Sequence, residues 1–142
     1  MASPTLSELM ETTVSGSGVA ECDMARVVYL MFKDRYKCTN IKQNAWYEKT
    51  GDEWVAVDCA HTLRTLITTE VREEYLQKTI DIVNYTLQSS GDSEETSSAL
   101  QKRASEYSEI ALLLLKKPKY VDAVMSECRY LFAPTVRSAP SV

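Results

Sequence analysis

Between residues 19 and 37 the apolar positions Met24, Val27, Val28, Met31 and Phe32 recur by threes and fours, which predicts a helix with one stripe facing a core. Arg26, Lys33 and Asp34 fall on its other side. The period then changes to that of strands. Across residues 42–57 two runs rich in aromatic and β-branched residues flank Thr50-Gly51, a β-hairpin pattern in which glycine supplies the positive φ of a tight reversal. Symmetry about Thr50-Gly51 sets Tyr47 opposite Trp54, Trp46 opposite Val55 and Ala45 opposite Ala56, with the two tryptophans on opposite faces. Residues 36–41 are short and rich in β-formers and can add a third strand. A lone hairpin is marginal in water, so helices must back one face. Either all three rings are core, or one face, carrying Trp46 or the Tyr47 and Trp54 pair, is left partly exposed.

After the hairpin, Asp58 is placed to cap the next helix. From Ala60 on, Leu63, Leu66, Ile67, Val71, Tyr75, Leu76, Ile80, Val83 and Leu87 predict one long helix, kinked near Thr68-Thr69 where β-branched side chains crowd the turn. Residues 89–98 hold no apolar side chain and read as an acidic loop. Leu100, Ala104, Tyr107, Ala111 and Leu114 then mark a largely buried helix. Pro118 ends it and opens a last one, whose buried face is Val121, Val124, Met125, Cys128, Leu131 and Phe132. Residues 1–18, rich in Ser, Thr and Gly, read as a flexible lead in which Leu6, Leu9 and Met10 make at most a short helical turn; residues 133–142 read as a disordered tail. The expectation is a single helical domain over residues 19–132, mainly α with a small antiparallel β-hairpin or three-stranded element, in the α+β class.

Charge sharpens this picture at one place. The chain carries a net charge of −4, which argues against wholesale binding to nucleic acid or membrane, yet residues 26–49 hold six basic residues against two acids, Asp34 and Glu48. Basic groups beside an exposed ring are what stacking on single-stranded bases requires. The candidate nucleic-acid contacts are therefore Arg26, Lys33, Arg35, Lys37 and Lys42, with Trp46 as the stacking ring.

Other chemistries find little footing. Lys49-Thr50 and Lys78-Thr79 lack the upstream glycines of a phosphate-binding loop. The sole histidine, His61, stands at a helix start without a nucleophile or third member beside it. Glu73-Glu74 and Glu94-Glu95 fall on a solvated face and in the acidic loop. Cys59-Ala60-His61 would need distant cysteines to complete a zinc site. The expectation is no catalytic centre, no metal and no cofactor. The four cysteines form no CxxC pair and follow a polar, acidic amino terminus, so they are expected reduced, in an intracellular compartment. No apolar run approaches the roughly 20 residues of a membrane span.

Taken in order, Asp23-Met24-Ala25-Arg26, Phe32-Lys33-Asp34-Arg35-Tyr36-Lys37-Cys38, Ala45-Trp46-Tyr47-Glu48, Glu53-Trp54 and Leu63-Arg64-Thr65-Leu66-Ile67 resemble the poxvirus-type domain that precedes the superfamily 3 helicase in primase-helicases of large DNA viruses and some phages. The resemblance covers about residues 19–75. It implies a non-catalytic linker or accessory domain that joins primase to helicase, helps ring assembly with further copies of itself and touches DNA through its basic side. Its compartment would be host cytoplasm or nucleus. The chain runs from Tyr130-Leu131-Phe132 into Ala133-Pro134-Thr135 without a helicase's phosphate loop, so the expectation is a fragment or a stand-alone remnant, and no ATPase residue carries over. The competing expectation is a helical protein-interaction module that does not bind nucleic acid and docks a partner on the apolar stripe of its last helix.

Overall fold

The computed structural model describes residues 3–15, 19–88 and 94–134. Its elements run α1 (Leu6–Ser15), α2 (Glu21–Phe32), β1 (Tyr36–Asn40), β2 (Ala45–Thr50), β3 (Glu53–Asp58), α3 (His61–Leu66), a π-helical turn (Ile67–Val71), α4 (Arg72–Gln88), α5 (Glu94–Leu112), a 3-10 turn (Leu114–Lys116) and α6 (Pro118–Leu131). The α+β class expected from the pattern is the one observed, a mainly helical domain with a three-stranded antiparallel sheet.

The core forms between α2 and α6. Met24, Ala25, Val27, Val28 and Phe32 bury one face of α2, and Val121, Val124 and Cys128 bury the facing side of α6. Pro118 opens α6, where its missing N–H has no helical partner to lose. This packing consumes the last helix's apolar stripe, so that stripe is not a docking face as the interaction-module reading had it.

The lead expected to be flexible is in part a packed helix. Residues 6–15 form a helix packed on α2, with Met10, Thr13 and Val14 buried. Its start is a reciprocal capping box. The Thr5 N–H donates to Glu8 Oε1 at 2.8 Å, and the Glu8 N–H donates to Thr5 Oγ1 at 3.1 Å, which satisfies two amides left over at the helix start. Inside, the Thr13 hydroxyl donates to the Met10 carbonyl and lies 2.9 Å from the Tyr75 hydroxyl, tying α1 to α4. Burial pushes the Tyr75 phenol well above its ordinary range.

The sheet has the order β1-β2-β3. In the hairpin Thr50 pairs with Glu53, Lys49 with Trp54, Tyr47 with Ala56 and Trp46 with Val57. The loop is therefore Gly51-Asp52, with Gly51 at φ +65 in its first position, and β3 lies two residues along from the register that symmetry about Thr50-Gly51 predicts. A slip of two keeps every side chain on its face. Tyr47 and Trp54 thus share a face as expected, as diagonal rather than direct neighbours. Trp46 points inward, 1% exposed, with its ring 5.4 Å from that of Phe132 at the end of α6 and its indole N–H donating to Asn44 Oδ1 at 2.7 Å.

Asp58 does not cap α3. The N-cap is Ala60 and no side chain bonds there; Cys59 and Ala60 both take left-handed φ, at 51° and 52°, to turn the chain from β3 into the helix. The Asp58 carbonyl lies 3.1 Å from His61 Nδ1 instead. Left-handed backbone costs a residue with a Cβ about 1–2 kcal/mol, and glycine gives back about 0.5–1 kcal/mol in chain entropy. Cys59→Gly should therefore stabilise the fold by about 0.5–1 kcal/mol, to be read from the urea midpoint.

The kink expected near Thr68-Thr69 is a π turn. Both threonine hydroxyls donate to the Thr65 carbonyl at 2.9 Å, competing for an oxygen that would otherwise serve the helix ladder. Beyond it the expected stripe is only half consumed. Val71 and Tyr75 are buried, whereas Ile80, Val83 and Leu87 are exposed, because they lie on the side of α4 away from Tyr75 and Ile82, through which the helix packs on α5 and the core. Helix α5 opens at Glu94, so residues 94–98 are its first turn rather than loop, and Glu94-Glu95 complement the positive end of its dipole. The rest of that loop lies outside the described residues, as do residues 16–18 and most of the predicted tail. Ala104, Tyr107, Ile110, Ala111 and Leu115 are buried but Leu112 and Leu113 are not, so the apolar run at 110–115 is amphipathic rather than enclosed.

Cys38 and Cys128 are buried, and burial raises both thiols, most strongly Cys128, with the Glu127 carboxylate adding to it. Cys22 and Cys59 are exposed. Titration with a disulfide reagent should show Cys22 and Cys59 reacting quickly in the folded protein and Cys38 and Cys128 reacting only after denaturant is added.

Candidate nucleic-acid interface

Strand alternation sorts the sheet into two chemistries. Tyr36, Cys38 and Trp46 point into the core and are buried there. Along that inner side the Tyr36 hydroxyl donates to Thr62 Oγ1 and the Thr62 hydroxyl donates to Glu48 Oε1, both at 2.8 Å, which locks β1 and β2 to α3. Burial pushes the Tyr36 phenol up. The opposite face carries Lys37, Tyr47, Lys49 and Trp54. Lys37 lies beside Tyr47, and Lys49 lies beside Trp54. The Lys37 ammonium crosses β2 to sit 4.4 Å from the centre of the Trp54 ring.

Trp54 is 37% exposed and Tyr47 is half-buried, so the ring available at the surface is Trp54 and not Trp46. Of the basic residues predicted for the interface, only Lys37 stands beside an exposed aromatic. Arg26 is exposed in the middle of α2, Lys33 at its end and Lys42 in the β1–β2 turn; the Arg35 guanidinium lies 5.6 Å over the Phe32 ring. Their positions run from the middle of α2 to the β1–β2 turn, and Lys37 is the one among them set against the Trp54 ring. Lys49 belongs to the cluster and was not singled out from the sequence, although alternation along β2 places it with Tyr47.

The arrangement can do two things chemically. An aromatic face with ammonium groups beside it offers a stacking surface for a flat, electron-rich ring and a counter-charge for an anion next to it. A Lys–Trp contact at an exposed site is worth about 0.5–1 kcal/mol, less than the about 1–3 kcal/mol of a base stacked on the same ring. An incoming base can therefore displace Lys37 from the ring and leave its ammonium free for the adjoining phosphate.

Among the described residues no helix is long and apolar enough to cross a membrane. No family model matches the chain, and no solved structure matches it. A protein of Acanthamoeba polyphaga mimivirus named "Putative helicase" is 36% identical over 55 residues, which is 39% of this chain and 6% of that protein. The chain is thus similar, over part of its length, to a viral helicase-type protein. It spans a small fraction of that relative.

Proposed function

We propose that this chain is a non-catalytic accessory segment of a viral replicative primase-helicase, joining the primase and helicase parts and holding single-stranded DNA on the outer face of its sheet. The observation that carries the reading is the Lys37, Tyr47, Lys49 and Trp54 cluster, two ammonium groups interleaved with two aromatic rings on one face of the sheet. The partial similarity to a mimivirus protein named as a helicase supports the helicase part of this reading. With a net charge of −4 the chain gains little from long-range attraction, so binding would depend on local contacts and be weak and salt-sensitive.

The experiment is a titration of labelled oligothymidylate at several salt concentrations. Two phosphate contacts give a log–log slope of about −1.4 for a single strand. Lys37→Gln and Lys49→Gln should each reduce that slope by about half, while Arg26→Gln and Lys33→Gln leave it unchanged. A slope that follows Arg26 and Lys33 instead would move the interface to α2, and absence of binding at low salt would remove it.

The second reading is a protein-interaction module, and a different surface favours it. Ile80, Val83 and Leu87 leave an apolar stripe open on the outer side of α4, with the uncharged Gln77 and Asn84 alongside. In that case helicase or primase parts, or a further copy of the chain, would dock on α4. Charged substitutions at Ile80 and Val83 would then abolish complex formation and leave DNA binding intact.

A further inference from the structure

We propose that the cleft between the β1–β2 turn, the β3–α3 corner and α6 is an oxyanion site that takes the phosphate group of a phosphate ester. The cleft has a volume of about 270 Å³ and is lined by Asn44, Cys59, Arg64, Asp122, Ser126 and Arg129, among others. It lies at the β1–β2 end of the sheet, away from the β2–β3 turn beside which Trp54 sits, and does not depend on the stacking face.

Arg129 brings a positive charge to this cleft. Its Nη1 donates to the Ile41 carbonyl at 3.1 Å and its Nε to the Ser126 carbonyl at 3.5 Å, so the guanidinium is oriented by neutral oxygens. Among the described residues no carboxylate pairs with it. A half-buried cation held in place but not neutralised is prepared for an anion. Asn44 is similarly prepared. Its Oδ1 is occupied by the Trp46 indole N–H, which leaves the amide Nδ2 as the donor the side chain has to offer.

Arg64 borders the cleft in a different state. Its Nε and Nη2 are spent on Asp122 Oδ1 and its Nη2 also reaches the Pro118 carbonyl, so its charge is already answered while Nη1 is left over. Two guanidinium groups thus face one carboxylate, and that carboxylate is held by Arg64. The exposed Ser126 hydroxyl adds a further donor. Guanidinium, amide and hydroxyl donors converging from three elements suit a tetrahedral oxyanion better than a metal cation or an apolar guest.

The backbone gives independent support. Among the described residues the non-glycine positions with left-handed φ are Asn44, Cys59 and Ala60, and the first two line this cleft. Asparagine adopts this region readily, whereas at Cys59 it costs strain, and strained residues occur where a constellation must be held in one geometry. Two turns from different parts of the sheet are here bent toward the same side of α6.

The test is a two-dimensional amide NMR titration of the full chain at constant ionic strength, with inorganic phosphate, thymidine monophosphate and a short oligothymidylate as separate ligands. The expected result is saturable shifts at Asn44, Ser126 and Arg129. Saturation by the small ligands supports a site for a free phosphate or nucleotide; saturation by the oligonucleotide alone at the same amides supports a strand phosphate as the source. Arg129→Gln should weaken binding about 10-fold or more, and because that change also removes a contact to Ile41, Ser126→Asp provides the second variant. It places a carboxylate in the cleft from an exposed position and should abolish the shifts with the melting temperature unchanged. Trp54→Ala, outside the cleft, should leave the shifts caused by inorganic phosphate and thymidine monophosphate unchanged. Shifts that do not saturate with any ligand, or that survive in Ser126→Asp, overturn the proposal.

Discussion

Trp46→Ala should destabilise the domain by about 3–5 kcal/mol, the range for deleting a large buried aromatic. The ring is 1% exposed, packs against Phe132 and anchors Asn44 through its indole N–H, so its removal opens a cavity where the sheet meets α6 and leaves the Asn44 carbonyl oxygen without its donor. A domain of this size has only about 5–15 kcal/mol to lose, and the variant should unfold at a much lower urea concentration with an unchanged m-value. A loss below about 1 kcal/mol would mean that Trp46 is a surface residue and that the inner and outer faces of the sheet are reversed.

Trp54→Ala should behave in the opposite way. The ring is partly exposed on an edge strand, so its loss costs little stability. Single-stranded DNA affinity, however, should fall by about 1–3 kcal/mol, or about 5- to 150-fold, since stacking is lost along with the ring. The salt slope should stay where it was, because the phosphates remain paired with Lys37 and Lys49. A change of slope with little change in affinity would mean that the indole serves only to position Lys37.

How much of this was legible in the chain depended on how local each signal was. The α2 stripe and the long α3–α4 run follow from spacing alone, and both are helical. The placement of Trp46 and Trp54 on opposite faces also followed, since alternation survives a slip of two. Which face is core did not, because Phe132, some eighty residues further on, decides it by packing on Trp46. The register missed by two because glycine can occupy either position of a short loop, and only the pairing distinguishes them. At α1 the short helical turn of Leu6, Leu9 and Met10 is legible but not its full length or its packing, although Thr5 and Glu8 spell a capping box, as the Ser, Thr and Gly content around it masks a short stripe. Ile80, Val83 and Leu87 obey the core period yet stand in solvent, since periodicity reports an apolar face and not what covers it. At the candidate site Lys37 was legible from its basic surroundings. Alternation puts Lys49 with Tyr47, and Tyr47 with Trp54, on one face; that this face is the outer one, and that Lys37 joins it, needs the three strands assembled.

The central claim, that bases stack on Trp54, is tested most directly by the intrinsic fluorescence of the chain's two tryptophans, one enclosed and one exposed. Oligothymidylate added at low salt should quench the emission of the wild-type protein to saturation. Trp54→Phe, which keeps Trp46 as the sole tryptophan and leaves the core untouched, should lose that quenching of the tryptophan emission while folding normally. Quenching that persists undiminished in Trp54→Phe, or no quenching of the wild type where binding is seen by an independent method, would contradict the account.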